Sequence, residues 1–176
     1  FANTALVSIS LPNQLAAIYS STFSGCTRLI DVQIPDSVSS IGASAFLNCY
    51  SLPRISIPST VTAVDSWVFQ NCYSLSIIEL PSSITTISSY CFYNCYSLSS
   101  FTISNKITSI EKFAFFGCIS LTKIEIPDNV IEIQSNAFQA CFSLSVVRLS
   151  SALTTLQSYL FQDCSSLSSI EIPSNV

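Results

Sequence analysis

The sequence predicts a β-dominated solenoid of the α/β type, a right-handed superhelix of about seven coils with a parallel sheet on its concave face. Three observations predict it. Phe recurs at 23, 46, 69, 92, 115, 138 and 161, every step being 23 residues. Cys follows each Phe at 26, 49, 72, 95, 118, 141 and 164, and Leu follows each Cys at 29, 52, 75, 98, 121, 144 and 167, with Leu6 opening the series. After each Leu comes a short apolar segment, closed in most coils by a proline. A unit this short cannot bury its apolar face alone, so copies must stack on one another.

The first element of each coil is a strand. VQI at 32–34, ISI at 55–57, IEL at 78–80, FTI at 101–103, IEI at 124–126, VRL at 147–149 and IEI at 170–172 alternate with period two and use β-branched and aromatic residues. Pro12, Pro35, Pro58, Pro81, Pro127 and Pro173 end these strands, with Ser104 and Ser150 in the remaining coils; proline has no N–H to give a ladder. A second apolar pair, such as Val61 with Val64, Ile84 with Ile87, or Val130 with Ile133, predicts a second inward-facing extended segment. A compact turn then carries Phe and Cys inward, as in SNAFQAC at 135–141. Its form is open between a 3₁₀ segment and a single helical turn. Equivalent residues should form ladders about 4.8 Å apart.

The unit CISLTKIEIPDNVIEIQSNAF, residues 118–138, resembles the leucine-rich repeats of the BspA type, a class also described from treponemal proteins, and the resemblance covers essentially the whole chain. The glycine such repeats often carry after the second strand survives as Gly42 but becomes Asp65, Ser88, Glu111, Gln134 and Gln157 elsewhere. Looser turns are expected there. At the start, Asn3 stands where the ladder calls for Cys, with no Phe rung before it. The reading is one solenoid over 1–176, with repeats starting near 6, 29, 52, 75, 98, 121, 144 and 167. The chain has no Met and begins with Phe1, and both ends fall inside a repeat. It is expected to be a piece of a longer array.

Composition narrows the function classes. Apolar residues make up 49% of the chain and charged ones 9%, with mean hydropathy +0.54. Serine nevertheless interrupts every hydrophobic stretch well before the ~18 residues a spanning helix needs. The net charge is −4, and the six Lys and Arg are spread from Arg28 to Arg148. Nucleic acid is not an expected partner, because phosphate neutralisation needs a basic cluster. The absence of His and of any Cys-x-x-Cys pair speaks against a metal site. With nothing to activate its many serines, the chain is not expected to be an enzyme or to need a cofactor. Seven of the eight Cys share one inward position and are read as free, buried thiols. Cys91, four before Cys95, takes a second inward position held by Ala45 and Val68.

A binding surface would be written in the outward residues of the first strand. The candidates are Gln33, Arg54, Ser56, Glu79, Thr102, Lys123, Glu125, Arg148 and Glu171, with Tyr50, Tyr73 and Tyr96 as an aromatic rim. The bland alternative is a solvated charge ladder that avoids like-charge stacking. Two aromatic columns run beside it. Tyr50, Tyr73 and Tyr96 continue into Ile119 and Phe142, and Trp67, Tyr90 and Phe113 are followed, two coils on, by Tyr159. Such rings either meet a partner or stack between coils. No Asn begins a glycosylation acceptor. Proteins of the BspA class are associated with the surfaces of oral anaerobes and mucosal protists such as trichomonads. The resemblance therefore implies a cell-surface or extracellular, adhesin-like protein that binds a host or matrix protein or a glycan. The alternatives are a cytoplasmic interaction scaffold and a structural array that associates end to end.

Overall fold

In the computed structural model, which describes residues 1–176, each coil contributes up to two strands and a compact turn, and no helix is present. In chain order the strands are β1 (Ser8–Ser10), β2 (Ala17–Ile18), β3 (Asp31–Gln33), β4 (Ser40–Ile41), β5 (Arg54–Ser56), β6 (Ala63–Val64), β7 (Ile77–Glu79), β8 (Thr86–Ile87), β9 (Ser109–Ile110), β10 (Lys123–Glu125), β11 (Glu132–Ile133) and β12 (Val146–Arg148). All pairings are parallel. β1 pairs with β3, β5 with β7 and β10 with β12 on the first face; β2–β4–β6 and β8–β9–β11 form the second. Register follows the repeat, with Ile9 opposite Val32, Ile55 opposite Ile78 and Ile124 opposite Val147.

The first-face strands begin one residue earlier than the sequence pattern suggests, at 31, 54, 77, 123 and 146. The inward residue is thus the middle of three, and the next apolar residue, such as Ile57 or Ile126, turns inward just after the strand ends. FTI at 101–103 and IEI at 170–172 form no strand. In the first of these coils Phe101 replaces the Ile78 and Ile124 of its neighbours, and its ring lies between Phe92 at 5.1 Å and Phe115 at 5.0 Å. The larger ring accompanies the loss of the strand in this coil, whereas 170–172 lacks a strand with Ile170 in the same position.

The compact turn is neither 3₁₀ nor α-helical. It is a run of β-turns containing two left-handed residues per coil, such as Trp67 (φ 61°) and Asn71 (φ 59°). Alternate N–H groups close turns within the coil, as Gln70 to Trp67 and Cys72 to Phe69. The others donate to the next coil: Trp67 to Ser89 O, Phe69 to Cys91 O and Asn71 to Tyr93 O, at 2.7–3.0 Å. Backbone polarity on the turn side is thereby satisfied by stacking, the role the sheets fill on the other sides.

The core is one continuous cluster in which Phe23 to Phe138, Cys26 to Cys141 and Leu29 to Leu144 are fully buried. Consecutive Phe rings from Phe23 to Phe161 stack at 5.2–5.7 Å. All eight Cys are buried and unpaired. The ladder thiols are more than small apolar groups. Cys49, Cys72, Cys95, Cys118, Cys141 and Cys164 each donate Sγ–H to the carbonyl of the Phe 26 residues earlier, at 3.1–3.2 Å.

Two expectations about the coils are corrected. The first coil does have a Phe rung, since Phe1 stacks on Phe23 at 5.5 Å and 2°. Its carbonyl accepts both the Thr4 N–H and the Cys26 thiol. Thr4, not Asn3, therefore stands in the Cys position, and this coil is one residue shorter than the rest. Three of the five glycine replacements do not loosen their turns either, since the Asp65, Glu111 and Gln134 N–H groups still donate to Ile41, Ile87 and Ile110 O at 2.8–3.0 Å, as Gly42 N–H does to Ile18 O. Gly42 is required by close approach, because a Cβ there would meet Ser20 N at 2.7 Å. In later coils the side chain is used instead: Glu111 accepts the Ser89 N–H and hydroxyl at 2.8 and 2.7 Å, and Gln134 accepts the Lys112 N–H at 3.2 Å.

Candidate binding face

Alternation fixes the first face. In each strand the middle residue is held in the core, so its two neighbours must point outward, and those positions are free of packing constraint. All nine candidates on this face, Gln33, Arg54, Ser56, Glu79, Thr102, Lys123, Glu125, Arg148 and Glu171, are exposed. They fall into two grooves and a smaller hollow. Gln33, Arg54, Ser56 and Glu79 line a groove of about 480 Å³ together with Asp31 and Ile77. Thr102, Lys123, Glu125 and Arg148 line a second, of about 440 Å³, beside Phe101 and Pro127. Glu171 shares a hollow of about 270 Å³ with Arg148.

The second groove carries the stronger charge pattern. Lys123 Nζ lies 2.6 Å from Glu125 Oε1, two residues along the same strand. The hydrogen bond from Lys123, and then its charge, hold the Glu125 carboxyl below the usual range. Arg148 faces Glu125 across the ladder but pairs elsewhere, with Nη2 on Asp128 Oδ2 at 3.0 Å and Nη1 on Ile126 O at 3.2 Å. Asp128 is pulled down by the Ser151 N–H first and by Arg148 next. It escaped the sequence reading because it follows the strand-ending Pro127, outside the alternating columns. In the first groove Gln33 donates to both Asp31 oxygens at 3.1–3.2 Å, and Ile77 adds an apolar side chain that is 65% exposed.

Tyr50, Tyr73 and Tyr96 line neither groove. They form their own stack, with centroids 4.7 Å apart in both steps and rings within 5° of parallel. Both faces of Tyr73 are therefore covered by rings, as is one face each of Tyr50 and Tyr96. Desolvation, followed by its two Tyr neighbours, pushes the Tyr73 phenol up. Trp67, Tyr90 and Phe113 stack likewise at 5.8 and 4.8 Å, beside a column the sequence reading missed, Tyr93 on Phe116 at 4.6 Å. Also missed was an amide ladder in which Asn71 donates to Asn48 and Asn94 to Asn71, at 2.8 and 3.2 Å. The 23-residue recurrence of Asn48, Asn71 and Asn94 was the available signal. No group of three or more His, Cys, Asp or Glu converges, and no helix is long and apolar enough to cross a membrane.

The repeat sequence matches the profile of the BspA type leucine rich repeat region, in six copies, over residues 1–110 and 85–176. The chain belongs to the BspA-type leucine-rich repeat family. Among solved structures, this BspA-type chain is similar to the leucine-rich repeat protein of T. pallidum, with 28% identity and TM-score 0.83 over 92% of this chain and 78% of that one. It is also similar to a leucine-rich cell surface protein of Faecalibacterium prausnitzii, with 29% identity and TM-score 0.65 over 97% of this chain. The BspA-type chain spans about half of that protein, 48% of its length. A leucine-rich repeat protein of Bacteroides ovatus shares the fold at 23% identity and TM-score 0.65, over 93% of this chain and 60% of that one. A search of curated proteins returned no match.

Proposed function

We propose that this BspA-type solenoid is a non-catalytic binding segment of a cell-surface protein, and that its first strand face engages a protein or glycan ligand in adhesion. The observation that carries the reading is the contrast between a buried register that stays apolar throughout and an exposed one that changes character. Ile55, Ile78 and Ile124 repeat inside, while Arg54, Ile77 and Lys123, or Ser56, Glu79 and Glu125, occupy the same outward positions. A face relieved of packing constraint yet varied in charge has the composition of a recognition surface. The surface location of the F. prausnitzii relative supports the cellular setting.

The test is a screen of matrix proteins and glycans against the wild-type chain and two variants, Lys123→Ala/Glu125→Ala/Arg148→Ala and Arg54→Ala/Glu79→Ala. A ligand should be found whose affinity falls at least about tenfold, ~1.4 kcal/mol, in one variant with its melting midpoint unchanged. Ligands that bind both variants as well as the wild type would refute the assignment to this face.

A cytoplasmic scaffold using the same face is the second reading, favoured by eight buried, unpaired thiols, since reduced cysteine is typical of reducing compartments. A signal peptide or membrane anchor in the full-length gene product supports the first reading. Their absence there supports the second.

A further inference from the structure

We infer that Tyr50, Tyr73 and Tyr96 form a modification site at which a one-electron oxidant joins neighbouring coils through a dityrosine bond. The inference stands on ring geometry and is independent of the binding reading. Two phenoxyl radicals couple only if their ring carbons meet before either radical is quenched, so the effective concentration of the second ring decides the outcome. Here the repeat holds three phenols one coil apart, at 4.7 Å and within 5° of parallel. Both outer rings are 36% exposed, enough for an oxidant to reach their edges. Tyr73 has a tyrosine on either side, so a radical there meets a partner whichever way it turns.

The chemistry balances with a peroxidase and hydrogen peroxide as the oxidant. Each phenol gives up one electron to the peroxidase and its hydroxyl proton to solvent. The two radicals form one carbon–carbon bond between ring positions ortho to oxygen, and each ortho hydrogen then migrates as a proton to its own phenolic oxygen. Two tyrosines and one peroxide become one dityrosine and two waters.

The other tyrosines are internal controls. Tyr19 and Tyr159 are far more exposed, at 77% and 63%, yet neither has a stacked phenol. Tyr90 and Tyr93 are neighbours at 5.6 Å but lie 42° apart in orientation within one coil. Exposure alone would favour Tyr19 and Tyr159, whereas stacking favours the ladder.

The experiment treats dilute protein with horseradish peroxidase and limiting peroxide, isolates the monomer, and reads dityrosine fluorescence, tryptic masses and the fragment ions that place each bond within its peptide. A Tyr50–Tyr73 bond joins peptides 29–54 and 55–106, because trypsin cuts after Arg28, Arg54 and Lys106. A Tyr73–Tyr96 bond closes a loop inside peptide 55–106 with the loss of two hydrogens. We expect one or both in wild-type monomer and neither in Tyr73→Phe, which keeps the ring stack but cannot form the radical. Tyr19→Phe/Tyr159→Phe should leave the monomer cross-link unchanged. Wild-type monomer without these bonds, a bond only between Tyr90 and Tyr93, or ladder cross-linking that persists in Tyr73→Phe would each overturn the inference.

Discussion

At Trp67, Tyr90, Phe113 and Tyr159 a bulky side chain sits on a left-handed backbone with φ of 58–61°. That conformation costs an L-residue about 1–2 kcal/mol. Stacking offsets the cost for the first three, which pack on one another. Tyr159 follows Asn136 in its column and stays 63% exposed. Replacing Tyr159 with Asn, the type Asn136 already supplies at φ 63°, should therefore raise stability by about 1 kcal/mol. Urea unfolding reads it, and a lowered midpoint would show that Tyr159 makes a contact worth more than its strain. At this scale the sequence was only partly legible. Phe, Cys and Leu announced their burial because one residue type recurs every 23 positions. The second column of aromatic residues announced itself as well, but its left-handed backbone did not, since aromatic residues carry no preference for that region. The thiol bonds to Phe carbonyls were hidden for a similar reason, because cysteine in a ladder reads equally as a small apolar group.

Among the elements, stacking makes each rung depend on its neighbours. Phe92 stacks between Phe69 and Phe115, and Leu98 is fully buried beneath the strand face. Truncating either to Ala should cost about 2–5 kcal/mol through the cavity left behind, and an unchanged denaturation midpoint would contradict their inward placement. The strands themselves were legible to within one residue, because period-two alternation marks the inward side chain more firmly than the strand ends. The missing strand at FTI was not, since Phe101 satisfies the same alternation as isoleucine. The compact turn was undecidable because its bonds run to the next coil, and local residue preferences do not encode them. The grooves were legible as columns of residues but not as two separate hollows. Asp128 could not be found by alternation, because it reaches Arg148 from beyond the strand.

For the whole molecule, the buried thiols set a pH limit. Burial comes first among the causes that push Cys49 up to about 12 and also raise Cys72, Cys91, Cys95 and Cys118. An unfolded chain releases those protons near the ordinary thiol value of about 8.5. The folded state thus binds more protons above that point, and stability falls as pH rises. The unfolding midpoint should hold below about pH 8.5 and fall steadily as pH approaches the Cys49 value near 12. A flat profile to pH 11 would contradict ionisation-linked unfolding. A native thiol assay should likewise find the cysteines masked until denaturant is added. End-to-end association, proposed from the repeat, predicts light scattering that grows with concentration; a strictly monomeric chain at high concentration would end that proposal. The ladder thiols have a last consequence for how such a chain is made. Every one from Cys26 to Cys164 donates to the preceding coil, and the Asn71 and Asn94 amides do the same. Each coil leaving the ribosome thus brings thiol and amide donors to acceptors already in place. Its turn N–H groups, such as those of Trp67, Phe69 and Asn71, wait for the coil that follows, so every new coil closes the one before it and stays open to the next.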